Sequence, residues 1–190
     1  MTRVIAGALR GRRIHTPKGT GTRPTSDRTR EALFSALVAR GAVEGARVLD
    51  LYAGSGALAI EAISRGAAAA TLVDHDRGAV AAIRRTLADL GLAQVRVQQR
   101  EARAYLRVGE TPHDLVFIDP PYDVGEAALA EVLALLAEGW LAADALVIVE
   151  RSTRSPEPTW PAGLEPLQER TYGETAIWLA ARLQDGTADQ

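Results

Sequence analysis

A doubly wound α/β fold on a mainly parallel sheet is predicted for this 190-residue chain by three observations. From Arg47 onward, short apolar runs alternate with amphipathic stretches of helical period, the pattern of strands covered on both faces. Gly54-Ser55-Gly56 joins the first such run to the first intervening helix, and acidic residues stand where several runs end. The last two apolar runs have no helix between them. They must pair antiparallel, because a parallel return needs a long crossover.

Each element has its own signal. Val4-Ile5-Ala6-Gly7 and Arg12-Arg13-Ile14-His15, around Leu9-Arg10-Gly11, read as a short hairpin or extended arm. Residues 17–24 form a Gly/Thr/Pro linker. Ser26 or Asp27 caps a helix that carries Leu33, Phe34, Leu37 and Val38 on one face and ends at Gly41. Strands are predicted over residues 48–51, 70–73, 95–97, 115–118 and 145–149. Helices fill 57–65, 77–90, 102–107 and 126–137 between them, with Gly66 and Gly91 as stops. Residues 155–161 are proline-rich and irregular. Residues 164–172 and 175–183 are strands turned at Gly173-Glu174, and 184–190 form a frayed tail. The expected division is a basic arm over 1–25, one α/β domain over 26–184, and the tail.

Composition narrows the function. The length suits a single domain with a full core. There are no cysteines, which excludes disulfides, thiolate metal ligands and cysteine nucleophiles; three scattered histidines give no expectation of a metal. Neither an apolar leader nor a bilayer-length run is present, so a cytoplasmic protein without a membrane partner is expected. Residues 1–30 hold eight basic side chains (Arg3, Arg10, Arg12, Arg13, Lys18, Arg23, Arg28, Arg30) against Asp27, a net of +7. The whole chain carries −2, so the remainder carries −9. A basic arm on an acidic body points to a polyanion such as nucleic acid, met through phosphates.

The loop Asp50-Leu51-Tyr52-Ala53-Gly54-Ser55-Gly56 sits where a strand delivers the chain to a helix N-terminus. Glycines let backbone approach a ligand there, and the helix supplies free N–H groups. Dinucleotide and methyl-donor sites share this feature. Asp74, ending the second strand, can accept both ribose hydroxyls of an adenosine-containing ligand, with His75 beside the adenine. Glu101, followed by Ala102, is placed to accept from an adenine amino group. Asp50 organises the loop or approaches an amino-acid ammonium.

Asp119-Pro120-Pro121-Tyr122 closes the fourth strand. An exocyclic amino nitrogen is a poor nucleophile, since its lone pair is delocalised into the ring. The Asp119 carboxylate and the Pro120 carbonyl can accept its two hydrogens and draw it towards tetrahedral geometry. The Pro120-Pro121 pair fixes φ and holds that carbonyl still, and Tyr122 can stack on the base. Such catalysis is positioning plus electrostatics. An NAD-dependent oxidoreductase would explain the loop but leaves the tetrapeptide and the basic arm unexplained.

Taken together, these residues resemble the RsmD-type methyltransferases of small-subunit ribosomal RNA. The resemblance spans almost the whole chain. It is carried by Arg3-Val4-Ile5-Ala6-Gly7, by Arg10-Gly11-Arg12, by residues 50–58 and 119–122, and most specifically by Arg23-Pro24-Thr25-Ser26-Asp27-Arg28-Thr29-Arg30-Glu31. It implies a class I, Rossmann-like, seven-stranded sheet with the last strand antiparallel. It also implies S-adenosylmethionine as donor, S-adenosylhomocysteine as product, no metal, and a guanine N2 of 16S rRNA as target, in free rRNA or an assembling 30S particle. A monomer is expected. Arg3, Arg10, Arg12, Arg13, Lys18 and Arg23 are expected to grip RNA; Thr25 and Arg28 lie near the cofactor's methionine end or the entering RNA. Adenine N6 in RNA or DNA is the alternative target, because the tetrapeptide alone serves either base.

Overall fold

The computed structural model describes residues 2–17, 26–109 and 111–183. A two-stranded antiparallel hairpin, β1 (Thr2–Arg3) and β2 (Arg13–Ile14), precedes helix α1 (Asp27–Ala39). There follow β3 (Arg47–Leu51), α2 (Ala57–Ser64), β4 (Ala69–Asp74), α3 (Arg77–Leu90), β5 (Val95–Gln99), α4 (Ala102–Leu106), β6 (His113–Ile118) and α5 (Glu126–Ala137). The chain continues through β7 (Leu141–Ser152), β8 (Leu164–Tyr172) and β9 (Thr175–Arg182). Lys18, Arg23 and Thr25, most of the expected linker, and the tail fall outside the described residues.

The sheet has seven strands in the order β5-β4-β3-β6-β7-β9-β8. β3 through β7 run parallel to their neighbours, and β9 runs antiparallel to both β7 and β8. This is the class I arrangement expected. Crossovers from β3 lead one way to β4 and β5, and the chain then returns to the other side of β3 for β6 and β7. The reversal opens a crevice between the C-terminal ends of β3 and β6.

Two cores follow from strand alternation. Val48, Leu115, Phe117 and Ile148 point to one face, where Leu33, Phe34 and Leu37 of α1, Ala59 and Ile63 of α2, and Ile83 of α3 cover them. Leu49, Leu51, Val116, Ile118, Val147 and Val149 point to the other, against Leu106 of α4 and Leu129, Val132, Leu133 and Leu136 of α5. Ser26 caps α1, its hydroxyl accepting from Thr29 N–H, and Gly91 in the left-handed region ends α3.

Two elements differ from expectation. β7 begins at Leu141, four residues before the apolar run, because Leu141 partners His113 across a register shift in β6. The hairpin's ladder is shorter than the predicted strands, because Ile5 to Leu9 turn away to dock on α2. Ile5 and Ala6 donate backbone N–H groups to the two oxygens of Glu61 (2.8 and 3.0 Å), and Leu9 N–H donates to Ser64 Oγ (2.9 Å). Gly7 permits this approach: at φ 81°, a Cβ there would lie 1.8 Å from the Ser64 carbonyl oxygen. His15 adds a bond to Thr86 Oγ1 and one to the Asp89 carboxylate from α3. Val4 and Ile14 are buried with the first core. The hairpin is a packed part of the body.

Candidate active site

The crevice is lined by the ends of adjacent strands. At the end of β3, Asp50 is buried, and its carboxylate accepts from Ala59 N–H in the first turn of α2 (3.3 Å). Burial is the largest influence on it and pushes its carboxyl up to about 7; the Ala59 bond opposes that rise and the Asp74 charge adds to it. The chain then turns through Tyr52, a non-glycine residue at φ 63°. Such backbone is costly for a bulky side chain and clusters at ligand sites. Gly56 is needed twice over: its φ is 74°, and a Cβ there would meet Leu72 Cδ2 at 2.6 Å. A Cβ on Gly54, in contrast, meets nothing within 4 Å, so the space above that residue is open.

Asp50 supports a first prediction. The folded state binds its proton more tightly than the unfolded chain does. Its favourable contribution is therefore present below about pH 4 and lost as pH rises through about 7. The difference in unfolding free energy between wild type and Asp50→Asn should shift against wild type by roughly 2–4 kcal/mol between pH 4 and 8. Denaturant titrations at the two pH values check this; a constant difference would show that Asp50 titrates as it does in the unfolded chain.

Asp74 ends β4. One carboxylate oxygen accepts from Gly54 N–H and the other from Asp76 N–H, both at 2.8 Å, so it ties the glycine loop to the next strand. His75 is exposed beside it. Glu101 is the N-cap of α4, accepting from Ala104 N–H (3.0 Å) and pairing with Arg103 (3.1 Å). The structure thus gives Glu101 a capping role that its loop position did not announce. Ala102 is buried at the start of that helix.

Asp119 follows β6, directly across the crevice. Burial, then the charges of Glu150 and Asp50, raise its carboxyl well above the usual range, with Arg151 acting in the other sense. Val124 N–H closes a turn on the Pro121 carbonyl (3.0 Å), and among the described residues none donates to the carbonyl of Pro120. Tyr122 is 74% exposed, an aromatic ring at the rim of the crevice. Arg151 clasps this segment from β7, donating to Val124 O (3.1 Å) and pairing with Glu126 at the start of α5.

The structure brings Asp50, the glycine loop, Asp74, Glu101 and the tetrapeptide to one edge of the sheet. Arg3, Arg10, Arg12 and Arg13 are placed apart from it, all exposed on the docked hairpin. Arg28 is exposed in the first turn of α1, whereas Arg30 is buried, bonded to Arg3 O (2.6 Å) and to Asp27 (3.1 Å). Sequence reasoning missed Glu61, Glu150 and Arg151. A single charge in the otherwise apolar helix Ala57–Ser64 was a signal for the first. Glu150 ends an apolar run just as Asp74 and Asp119 do.

Comparison with known proteins gives the chain's family and relatives. The family described as "Conserved hypothetical protein 95" matches residues 2–181. "Ribosomal RNA small subunit methyltransferase D" of Escherichia coli K12 is 41% identical over 188 residues, 98% of this chain and 93% of that protein. The protein of the same name from Haemophilus influenzae is 35% identical over 90% of this chain and 89% of its own. The solved structure of yhhF from Escherichia coli superposes with a TM-score of 0.86 at 41% identity, covering 95% of this chain and 97% of that one. A Synechocystis methyltransferase with bound SAM, 17% identical, shares the fold alone, with a TM-score of 0.60 over 82% of this chain and 79% of that one. With nearly its whole length matched, the chain belongs to the "Conserved hypothetical protein 95" family, that of the RsmD-type methyltransferases.

Proposed function

We propose that this enzyme transfers a methyl group from S-adenosylmethionine to the exocyclic N2 of a guanine in small-subunit (16S) rRNA. The observation that carries the reading is Asp119-Pro120-Pro121-Tyr122 at the end of β6, across the switch-point crevice from the glycine loop. The related proteins bearing the name of an rRNA small-subunit methyltransferase support the substrate.

The crevice fits the cofactor. The space above Gly54 is open, and the loop over residues 53–56 leads into the N-terminus of α2. Asp74 uses one lone pair of each oxygen on backbone and retains others for ribose hydroxyls. His75, Glu101 and Ala102 would border the adenine, and Arg28 the methionine end or the entering RNA. When bound, S-adenosylmethionine supplies an electrophilic methyl group on a sulfonium sulfur.

The chain's own residues prepare the acceptor. Asp119 and the Pro120 carbonyl accept the two amino hydrogens and localise the nitrogen lone pair. The raised proton affinity of Asp119 strengthens that grip and lets the carboxylate take up the proton released on methylation. Tyr122 stacks on the ring. The base must be splayed from its helix to arrive, so the target lies in an unpaired or opened segment. We place the reaction in the cytoplasm, on rRNA free or in an assembling 30S particle, with a monomeric enzyme.

Labelled methyl transfer to undermethylated small subunits, followed by nucleoside identification, tests the reading. N2-methylguanosine is the expected product; N6-methyladenosine overturns the substrate. The docked hairpin gives a second expectation. Replacing Arg10, Arg12 and Arg13 together with alanine should reduce the slope of log K against log salt for RNA binding by about 2. An unchanged slope in filter-binding titrations would show that these arginines meet no phosphate.

A further inference from the structure

The surface beside the docked hairpin is basic in its own right. α3 holds Arg77, Arg84 and Arg85 against a single acid, Asp89, although the chain after residue 30 carries a net −9. All three arginines are exposed, and among the described residues none is held in a salt bridge.

The hairpin and the chain after it follow one stripe of this helix. Arg12 donates to the Asp89 carbonyl (3.2 Å), and His15 N–H donates to Thr86 Oγ1 (2.9 Å). Pro17 passes over Gly78, where an added Cβ would stand 3.9 Å from the Pro17 Cβ. From Asp89 back to Gly78 is about 17 Å of helix. The N-terminus of α3 follows directly on Asp74 and His75, at the edge of the crevice. The hairpin's arginines and the cofactor loop thus lie towards opposite ends of one helix.

Outward from that stripe, the helical period places Arg85 first, then Ala81 and Ala88, then Arg77 and Arg84. Ala81 and Ala88 are exposed as well, so the face is flat between its cations. It offers no aromatic or large apolar side chain of the kind that anchors a protein partner. The nearby acids are already engaged. Asp76 caps α3 by accepting from Ala79 N–H (2.7 Å), and Asp89 accepts from the His15 ring (2.7 Å). The His15 bond, and then the charges of Arg85 and Arg12, hold the Asp89 carboxyl below its ordinary range. Those two arginines flank one acid and join the hairpin's charge to the helix's. A row of cations with no apolar anchor suits a partner of evenly repeated negative charge.

We infer that Arg77, Arg84 and Arg85 of α3 continue the hairpin's arginines as a phosphate-binding track, along which the rRNA strand flanking the target nucleotide runs to the crevice. The inference rests on the rRNA reading above. It extends the grip on RNA from the hairpin to the edge of the cofactor site.

The test uses the full chain and an rRNA fragment containing the target nucleotide, in filter-binding titrations over a range of salt. Replacing Arg77, Arg84 and Arg85 together with alanine should weaken binding about 10-fold and reduce the slope of log K against log salt by about 2–3. Alanine is the best helix former, so α3 keeps its conformation in this variant. The corresponding lysine triple, which keeps the charges, should retain most of the slope. Arg170→Ala, exposed on β8 at the opposite edge of the sheet, serves as the control and should leave the slope unchanged. A wild-type slope in the alanine triple, or a slope lowered as much per arginine by Arg170→Ala, overturns the inference. Failure of the rRNA reading shows separately, as a wild-type enzyme that transfers no methyl group to small-subunit RNA.

Discussion

Replacing Asp119 with alanine is expected to lower kcat on the order of 10³-fold while leaving the affinity for S-adenosylhomocysteine essentially unchanged. The carboxylate is the acceptor aimed at the amino hydrogens, and the glycine loop, Asp74 and α4 hold their places without it. Asp119→Asn should fall between wild type and alanine, because its amide oxygen still accepts one hydrogen but carries no charge. A pH profile separates the two contributions. The ionised form is the one that works, so wild-type activity falls as pH drops through the Asp119 ionisation. Burial and the charges of Glu150 and Asp50 place that fall above the ordinary carboxylate range. The asparagine variant should lack this acid limb. Single-turnover kinetics with calorimetric binding of S-adenosylhomocysteine check both points; turnover near wild type in Asp119→Ala would remove Asp119 from the chemistry.

Glu61→Ala should have the largest effect on stability. Glu61 is fully buried, accepts from Ile5 and Ala6 of the hairpin, and bonds Arg65 Nε at 2.8 Å. Arg30, also buried, has its Nε 3.9 Å from the same carboxylate and no hydrogen-bond partner for that atom. Removing one side of such a group leaves buried cations uncompensated, at a cost of about 3–5 kcal/mol. For a chain of this size that lowers Tm by roughly 10 °C. Arg65 keeps Glu31 at 2.9 Å and its position 5.2 Å from the Phe34 ring, so the loss concentrates at the hairpin and Arg30. Hydrogen exchange at the Ile5 and Ala6 amides should accelerate most. A variant as stable as wild type, with those amides still protected, would show that the hairpin docks by its apolar contacts alone.

Much of the sheet was legible because its signals are local. The runs at Val48–Leu51, Leu72–Val73 and Leu115–Ile118 lie between amphipathic helices with glycine stops, and α3 and α5 occupy the residues expected of them. The crevice was legible for the same reason: a strand end is a place in sequence as well as in space, so Asp50, Asp74 and Asp119 could be assigned to one edge. What depends on distant partners was not legible. The first residues of β7, Leu141 to Asp144, carry no alternation, and their extended form is set by pairing with His113. The hairpin is held by Glu61 and Ser64, more than fifty residues away, through backbone N–H groups that leave no mark on side-chain identity. Glu101 shows the converse. Its position suggested a ligand contact, and its carboxylate also caps α4, a use available to any acid before a helix.

The place of β9 between β7 and β8 bears on how the chain is made. Among the described residues β8 has β9 as its only strand neighbour in the sheet, and β9 is the later of the two in the chain. At typical synthesis rates the residues from Leu164 to Arg182 take about 1–4 s to add. β8 is therefore made before the strand it pairs with, and the edge of β7 has no partner until β9 is available. The crevice half built from β3 to β5 depends on neither strand. A nascent chain can therefore assemble its cofactor loop early, while the flank carrying Glu150 awaits the final strand to seal it.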